Sequence, residues 1–247
     1  MDNRSVVITG AVQGIGRAVV LKFANNGYSV AINYRNPLKE SEAKALAEEC
    51  SKISGREAIA ICADVSVPEN CKFLIDETVR RFDKIDVVVN NAGIMKYSLL
   101  HRMSDEDYRQ MVSSNQDSVF FMMKYAGKHM LKKKSGSIVN VASVAGIYGS
   151  SALSVYSATK GAVIAMTKSA SVEFARKNVR VNAVAPGMVN TPMTNDFTAE
   201  EKENMSSNIP VGRFAEPPEI AEAIYWLASD ESSYITGHVM EISGGLK

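Results

Sequence analysis

Short runs of apolar residues alternate along the chain with longer segments in which apolar residues recur every three or four positions. The short runs are typical of strands buried on both faces of a sheet, and the longer segments are typical of amphipathic helices. The predicted strands are residues 5–9, 29–33, 58–62, 86–89, 138–142, 179–185 and 239–242. The predicted helices are residues 14–26, 38–53, 68–81, 117–133, 154–177 and 219–228, with one more helix that starts near residues 104–107.

Strands that alternate with helices predict a parallel sheet with right-handed crossover connections. No sequence repeat, linker or low-complexity tract divides the 247 residues. We therefore expect an α/β fold in one domain, residues 1–247: a Rossmann-type, doubly wound parallel sheet of about seven strands flanked by helices.

Composition narrows the possible functions. The net charge of +1 and the isoelectric point of about 7.7 give no global basic surface, so we expect no nucleic-acid partner. The N-terminus lacks the pattern of a secretory signal, and no apolar run reaches the length of a membrane span. Cys50, Cys62 and Cys71 match neither a zinc site nor a CxxC redox pair. We expect reduced thiols, no metal, no membrane partner and a cytoplasmic location.

A glycine-rich turn separates the first predicted strand from the first predicted helix, in the sequence TGAVQGIG. Such glycines allow a tight turn, let the backbone approach a pyrophosphate and direct the N–H groups of the helix towards it. The spacing is GxxxGxG, which differs from the general GxGxxG fingerprint. The residues of the predicted dinucleotide site in this turn are Gly10, Gln13, Gly14, Ile15 and Gly16. The alternative is a glycine-rich turn that binds nothing.

The end of the second strand indicates which dinucleotide is bound. A carboxylate at this place binds the ribose 2′-hydroxyl of NAD, whereas an arginine accommodates the 2′-phosphate of NADP. Here Tyr34 occupies the position of the acid and Arg35 follows it. We therefore predict NADP as cofactor. The alternative is that Arg35 is a solvated surface residue, because Gln13 supplies no second cation in the glycine turn.

Lys160 lies in the segment VYSATKGAVIAMTKSA, among small and apolar residues, with no Asp or Glu between Asp117 and Glu173. Tyr156 precedes it by four positions, so the two side chains share one face of a helix. A lysine beside a tyrosine stabilises the phenolate, and we expect the pKa of Tyr156 to fall towards neutrality. Tyr156 then serves as a general acid or base.

Ser143 follows the predicted fifth strand, at the edge of an open α/β sheet where ligands bind. Its hydroxyl can hydrogen-bond a substrate carbonyl or alcohol oxygen. Because the glycine turn also follows a strand end, we expect both features along the same edge of the sheet.

These residues together resemble the short-chain dehydrogenase/reductase family over essentially the whole chain. The matching pieces are TGAVQGIG, Asp64 with Val65, NNAG at residues 90–93, Asn115, Ser143, YSATK at residues 156–160 and PGMVNT at residues 186–191. The resemblance implies that Ser143 positions the carbonyl, that Tyr156 delivers the proton, and that Lys160 holds the nicotinamide ribose. Asn115 is implied to support a water-linked proton relay, although the residues that follow it depart from the usual NLxG-like stretch.

The resemblance also implies further contacts with the cofactor. Asp64 and Val65 are expected to flank the adenine, and Asn90 and Asn91 to line the ribose side. The other residues expected at the cofactor are Gly93, Pro186, Gly187, Val189, Thr191, Tyr156 and Lys160.

Within the family, several stretches resemble the 3-oxoacyl-[acyl-carrier-protein] reductases of fatty acid synthesis. These stretches are residues 98–115, residues 209–237 and the terminal SGG. The expected reaction is the NADPH-dependent reduction of a carrier-bound 3-oxoacyl group to a 3-hydroxyacyl group. The alternatives are an NAD(P)-dependent alcohol, sugar or steroid dehydrogenase and, from another class, a dinucleotide-sensing regulatory protein.

Three further expectations concern surfaces. Basic residues at two helix ends suit an acidic acyl-carrier protein: Lys132, Lys133, Lys134, Arg176 and Lys177. Residues 188–212 are expected to form an amphipathic, methionine-rich substrate lid. The helix of residues 154–177 is rich in small residues, and the resemblance implies that it pairs across the subunits of a homotetramer.

Overall fold

A computed structural model describes residues 4–195 and 197–246 of the chain, and Asp196 of the predicted lid lies outside the described residues. The described strands form one parallel sheet in the order β3-β2-β1-β4-β5-β6-β7. Their bounds are β1 Ser5–Ile8, β2 Ser29–Tyr34, β3 Ala58–Cys62, β4 Val87–Asn90, β5 Gly136–Val141, β6 Val179–Pro186 and β7 Val239–Ile242. The strand order reverses between β1 and β4, and this reversal opens a crevice for ligands. The predicted doubly wound sheet is confirmed.

Helices cover both faces of the sheet. Their bounds are α1 Gly14–Asn25, α2 Glu40–Ser54, α3 Pro68–Phe82, α4 Asp105–Val112, α5 Ser118–Lys133, α6 Ala145–Tyr148, α7 Ser154–Ala175, α8 Ala199–Ser207 and α9 Pro217–Ala228. Short 3-10 turns occur at Pro37–Lys39, Leu100–Arg102, Pro192–Thr194 and Asp230–Ser232, and a π-helical turn occurs at Ser113–Asp117. Within the described residues, no helix is both long enough and apolar enough to cross a bilayer.

The hydrophobic core lies in two layers, one on each face of the sheet. Successive side chains of a strand point to opposite faces. Val6 and Ile8 therefore join the layer under α1 and α9, whereas Val7 joins the layer under α3, α5 and α7. All three valine and isoleucine side chains are fully buried, which explains why the strands are continuous apolar runs.

Most of the predicted elements occur within two residues of their expected bounds. The predicted helix of residues 38–53 begins instead with the 3-10 turn Pro37–Lys39 before α2. Sequence periodicity did not predict the short helix α6 or the π-helical turn. The predicted lid contains α8, capped by the side chains of Thr198 and Glu201, but no residue of α8 is buried. The expected amphipathic character is therefore wrong for α8, whose apolar residue Met205 is only half-buried, and the role of the segment as a lid stays a prediction.

Candidate active site

A cleft of about 630 Å³ runs along the carboxyl edge of the sheet. It is lined by residues that follow β1 to β6, as expected where the strand order reverses. Most of the predicted site residues lie on its wall: Gly10, Gln13, Gly14, Ile15, Arg35, Asp64, Val65, Asn91, Gly93, Ser143, Tyr156, Lys160, Pro186, Gly187, Val189 and Thr191. Gly16, Asn90 and Asn115 are the predicted site residues that do not line the cleft.

The glycine turn has the conformation that its sequence predicts. Gly10 and Gly14 have φ angles of +61° and +53°, in the left-handed region that favours glycine. A Cβ atom on Gly16 would lie 2.3 Å from the carbonyl oxygen of Gly10, so only glycine fits there. Gly16 thus allows α1 to pack closely against the turn, but Gly16 itself does not line the cleft.

Two asparagines that flank the turn hold it in place. Asn33 Oδ1 accepts a hydrogen bond from the Gly10 N–H at 3.3 Å. Asn91 Nδ2 donates to the carbonyl oxygens of Thr9 and Gly10, both at 3.0 Å. Sequence reasoning placed Asn91 at the cofactor and missed Asn33, whose only sequence signal is a polar residue inside a buried strand.

The turn fits a pyrophosphate. Gln13 is the N-cap residue of α1, and its side chain makes no capping hydrogen bond. The first N–H groups of α1 therefore have no side-chain acceptor at this cap, and together with the positive end of the helix they favour an anion. A Cβ atom on Gly14 would lie 3.3 Å from the Thr191 side chain, so the glycine keeps the passage between them open.

The far end of the cleft fits the adenosine part of a dinucleotide. Tyr34 is buried at the end of β2, and burial raises the pKa of its hydroxyl, so the side chain is neutral. Arg35 is exposed beside it. Asp64 accepts hydrogen bonds from the Ser66 N–H at 3.0 Å and the Ser66 hydroxyl at 2.7 Å, which fix the loop that carries Val65.

Lys160 is buried, with 4% of its surface exposed. Its Nζ atom donates to the Val141 carbonyl oxygen at 2.7 Å and lies 5.8 Å from the centre of the Tyr156 ring. The described residues offer this ammonium no carboxylate partner. Burial lowers the pKa of Lys160 to about 8, so the side chain is still mostly charged at pH 7.

Tyr156 differs from the sequence expectation in its pKa. Burial raises the pKa of its hydroxyl to about 12, and the hydrogen bond with Ser143 acts in the opposite direction. The expected fall towards neutrality is therefore wrong for the chain by itself, because desolvation of the phenolate outweighs the opposing hydrogen bond with Ser143. At neutral pH Tyr156 keeps its proton, as a proton donor must.

Asn115 lies in the π-helical turn between α4 and α5 and is fully buried. Its Oδ1 atom accepts from the Ile94 N–H at 2.8 Å, and its Nδ2 atom donates to the Ile94 carbonyl oxygen at 2.9 Å. A Cβ atom on Gly93 would lie 3.1 Å from Asn115 Oδ1 and 3.5 Å from Lys160 Nζ. The side chain thus anchors the loop after β4 beside Lys160 and does not reach the cleft. Its part in a proton relay stays a prediction.

Asn90 is the other residue whose place differs from expectation. It is 2% exposed, and its Nδ2 atom donates to Asn140 Oδ1 at 2.8 Å, below the cleft wall. Asn140 in turn donates to the Thr167 hydroxyl at 2.9 Å. These contacts correct the prediction that the Asn90 side chain lines the ribose. Its position at the last residue of β4 turns it inward, whereas the next residue, Asn91, lies on the cleft wall.

The end of the cleft beyond Tyr156 is apolar and includes residues that the motifs did not mark. Tyr97 lines it, and the proximity of its phenol is one cause of the raised Tyr156 pKa. The Tyr97 ring packs edge to face on Phe197 of the predicted lid, with 5.8 Å between ring centres. Other apolar side chains on this wall are Met95, Tyr148, Leu153, Met188 and Met193.

Comparisons with known proteins agree with this geometry. Residues 10–247 match the family model described as enoyl-(acyl carrier protein) reductase. The 3-oxoacyl-[acyl-carrier-protein] reductase FabG of Staphylococcus epidermidis is 40% identical over 99% of both chains. That of Thermotoga maritima is 41% identical over 100% of this chain and 98% of its own.

Solved structures are similar over nearly the whole length. ElxO with NADP bound superposes with a TM-score of 0.92 at 37% identity, covering 99% of this chain and 98% of its own. Levodione reductase superposes with a TM-score of 0.93 at 32% identity, covering 98% and 96%. The predicted motifs lie at the carboxyl edge of a doubly wound sheet, and the family model and the relatives agree with them. The chain therefore belongs to the short-chain dehydrogenase/reductase family.

Proposed function

We propose that this protein is an NADPH-dependent carbonyl reductase that converts 3-oxoacyl-[acyl-carrier-protein] to 3-hydroxyacyl-[acyl-carrier-protein]. The observation that carries the proposal is the buried, protonated Tyr156 beside Ser143 and Lys160 in the cleft. The relatives of about 40% identity over the full chain, which are named for this reaction, support the substrate class. The ElxO structures with NADP and NADPH bound support the cofactor.

The chain contributes orientation and a proton. When bound, the nicotinamide dinucleotide supplies the hydride that reduces the carbonyl carbon. The side chains of Ser143 and Tyr156 lie together on the cleft wall, and both hydroxyls can donate to one carbonyl oxygen. Tyr156 gives its proton to that oxygen as negative charge develops there. The Lys160 ammonium lies beside Tyr156 and stabilises the phenolate that remains.

A second candidate is a reductase of small free ketones. The likeness to levodione reductase and the apolar wall around Met95 and Tyr97 favour it. A dinucleotide sensor is less well supported, because a sensor needs no proton donor and this cleft keeps Tyr156 with its proton.

Acyl-carrier protein and a homotetramer are further parts of the proposal. The basic residues expected at the carrier lie where α5 and α7 end, just before β5 and β6 begin. They are therefore at the amino edge of the sheet, opposite the cleft of the same chain. Lys133 also pairs with Asp86 at 3.2 Å.

In an oligomer, the basic residues of one subunit can lie near the cleft of its partner. Helix α7 has 22 residues and spans about 33 Å. Two copies packed antiparallel about a two-fold axis place the basic end of each α7 near the partner's Tyr156 end. The outer face of α7 suits such packing, with small exposed residues such as Ala158 and Ala165 and with Val172 at 78% exposure.

We also propose a cytoplasmic location. Cys50, Cys62 and Cys71 are all free thiols, and burial raises the pKa of Cys50 to about 11 and of Cys71 to about 12. Unpaired cysteines suit a reducing compartment.

The experiment that tests the function is NADPH oxidation, followed by absorbance, with three substrates: a 3-oxoacyl carrier protein, acetoacetyl thioester and a cyclic diketone. The proposal predicts turnover of both 3-oxoacyl compounds with NADPH in preference to NADH. Turnover of the diketone alone supports the second candidate. A crotonyl thioester serves as control for the C=C reduction that the family description names.

The docking proposal is tested by charge reversal at the two helix ends. Lys134 has a φ angle of +57°, which Asp tolerates, so the variants are Lys134→Asp and Lys177→Glu. We expect KM to rise for the carrier-bound substrate and to stay unchanged for acetoacetyl thioester. Lys52→Glu, an exposed lysine on α2, is the matched control. Equal rises in KM for both substrates contradict a docking role.

A further inference from the structure

We propose that Lys39 is the second cation at the 2′-phosphate of NADP, and that Glu42 holds it in an ion pair until the phosphate arrives. The pair Lys39–Glu42 then sets the preference for NADP over NAD, together with Arg35. This inference rests on the proposed use of NADPH and extends it to a residue that the sequence motifs do not mark.

A 2′-phosphate carries close to two negative charges at neutral pH, so a single arginine leaves part of that charge uncompensated. The glycine turn has Gln13 where a second cation could stand. Among the described residues that line the cleft, those with cationic side chains are Arg35, Lys39 and Lys160. Lys160 is buried against the Val141 carbonyl oxygen in the catalytic part of the cleft. Lys39 is therefore the cation available to join Arg35.

Local structure holds Lys39 close to Arg35. The two residues are joined by the 3-10 turn Pro37–Lys39, which follows β2 directly. Asn36 Oδ1 accepts from the Leu38 N–H at 3.0 Å, and the Lys39 N–H donates to the Asn36 carbonyl oxygen at 2.9 Å. These bonds turn the chain back after Arg35, so that Arg35, Asn36 and Lys39 all line the same end of the cleft.

The surroundings favour a phosphate. Tyr34, which occupies the place of an NAD-binding carboxylate, is neutral and buried. Asp64, the carboxylate on the facing loop, already accepts two hydrogen bonds from Ser66. Within the described part of the chain, Arg35 forms no ion pair and keeps its charge for a ligand.

Lys39 can leave Glu42 at small cost. Their side-chain atoms are 2.6 Å apart, but the side chains are 44% and 55% exposed. Exposed ion pairs contribute little, whereas phosphate offers greater charge and more acceptor oxygens than a carboxylate. Glu42 is thus a competitor for Lys39, and removing its charge frees the lysine for the cofactor.

The chain supplies a matched control away from the cleft. Lys72 and Asp76 form a similar exposed ion pair on α3, with 60% and 47% of the side chains exposed. Neither residue lines the cleft. Changes to this pair alter surface charge by the same amount without touching the cation that we assign to the phosphate.

The test measures binding, by calorimetric titration of the purified protein with NADPH, NADH, adenosine 2′,5′-bisphosphate and adenosine 5′-monophosphate. We expect Lys39→Ala to weaken NADPH and the bisphosphate roughly tenfold, which is about the effect of one charge-assisted hydrogen bond, and to leave NADH and the monophosphate unchanged. We expect Glu42→Gln to have the opposite effect and to increase the affinity for NADPH and the bisphosphate by about 2–5-fold. Lys72→Ala and Asp76→Asn leave all four affinities within about twofold of the unmodified protein.

The outcomes separate this inference from the proposed cofactor. If the unmodified protein prefers NADPH and Arg35→Ala removes the preference, but Lys39→Ala behaves like Lys72→Ala, the role of Lys39 is wrong and the cofactor stands. If Glu42→Gln weakens NADPH, the competitor role of Glu42 is wrong. Equal affinity of the unmodified protein for NADPH and NADH overturns the cofactor preference and this inference with it.

Discussion

The two ends of the cleft are built in opposite ways. At the catalytic end, Tyr156 and Lys160 are buried, and burial raises the pKa of Tyr156 to about 12 and lowers the pKa of Lys160 to about 8. At the adenosine end, Arg35 is exposed and Lys39 is held only by a carboxylate at the surface. The catalytic end excludes water from Tyr156 and Lys160, whereas the adenosine end leaves Arg35 and Lys39 in contact with solvent.

The catalytic end is therefore suited to proton transfer, and the adenosine end is suited to choosing between the two cofactors. Burial makes each hydrogen bond of Tyr156 and Lys160 strong and leaves few alternative geometries, as proton transfer requires. At the adenosine end, exposed charges interact weakly with one another and exchange partners readily. We expect substitutions at the catalytic end to abolish most of the turnover. We expect substitutions at the adenosine end to change cofactor affinity in smaller steps.

The largest effect is expected from Tyr156→Phe. The variant keeps the ring but removes the proton donor, so we expect kcat to fall on the order of 10²–10⁴-fold. Steady-state kinetics with acetoacetyl thioester measure the fall. Thermal unfolding of the variant serves as control, since the change should leave the fold intact. Retention of more than a tenth of the turnover contradicts the assignment of Tyr156 as acid.

A smaller effect is expected from the pair Tyr34→Asp and Arg35→Ser at the adenosine end. The new carboxylate can accept from a ribose 2′-hydroxyl and repels a 2′-phosphate, so the preference should reverse from NADPH to NADH. We expect the ratio of the two dissociation constants to change by roughly 100-fold, as measured by titration. An unchanged preference for NADPH would remove Arg35 from the cofactor site.

The smallest effect is expected on stability, from Lys160→Met. The folded-state pKa of about 8 is below the ordinary value of 10.5, so the folded chain binds the proton less tightly than the unfolded chain. Lys160 therefore destabilises the fold below pH 8, and this cost fades as the pH rises from 8 to 10.5. After the loss of the hydrogen bond to Val141, we expect the variant to be more stable by about 1–2 kcal/mol at pH 7.

Denaturant unfolding at pH 7 and pH 10 measures that difference. The gap between Lys160→Met and the unmodified protein should be largest at pH 7 and should narrow at pH 10. Lys168→Met, an exposed lysine further along α7, is the matched control and should show no such pH dependence. A variant that is less stable at pH 7 shows that Lys160 holds the fold together and contradicts the buried-charge argument.

Sequence reasoning succeeded where a local pattern determines a local structure. The glycines of the first turn, the apolar strands and the four-residue spacing of Tyr156 and Lys160 all appear as predicted. It failed where contacts with residues from distant parts of the chain determine the position of a side chain. Asn90 and Asn91 are adjacent and chemically identical, yet Asn90 is buried within the sheet against Asn140 and Asn91 lies on the cleft wall.

The protein's sequence by itself determined the doubly wound sheet, the edge where ligands bind and the residues able to move a proton, because periodicity and turn chemistry are local properties of the chain. Only the tertiary structure decided the charge states and partners of those residues. The pKa of Tyr156 depends on how much water the packed cleft excludes, and the proposed role of Lys39 depends on its place beside Arg35 on the cleft wall. Desolvation and proximity arise from contacts between segments far apart in sequence, so no local pattern carries them.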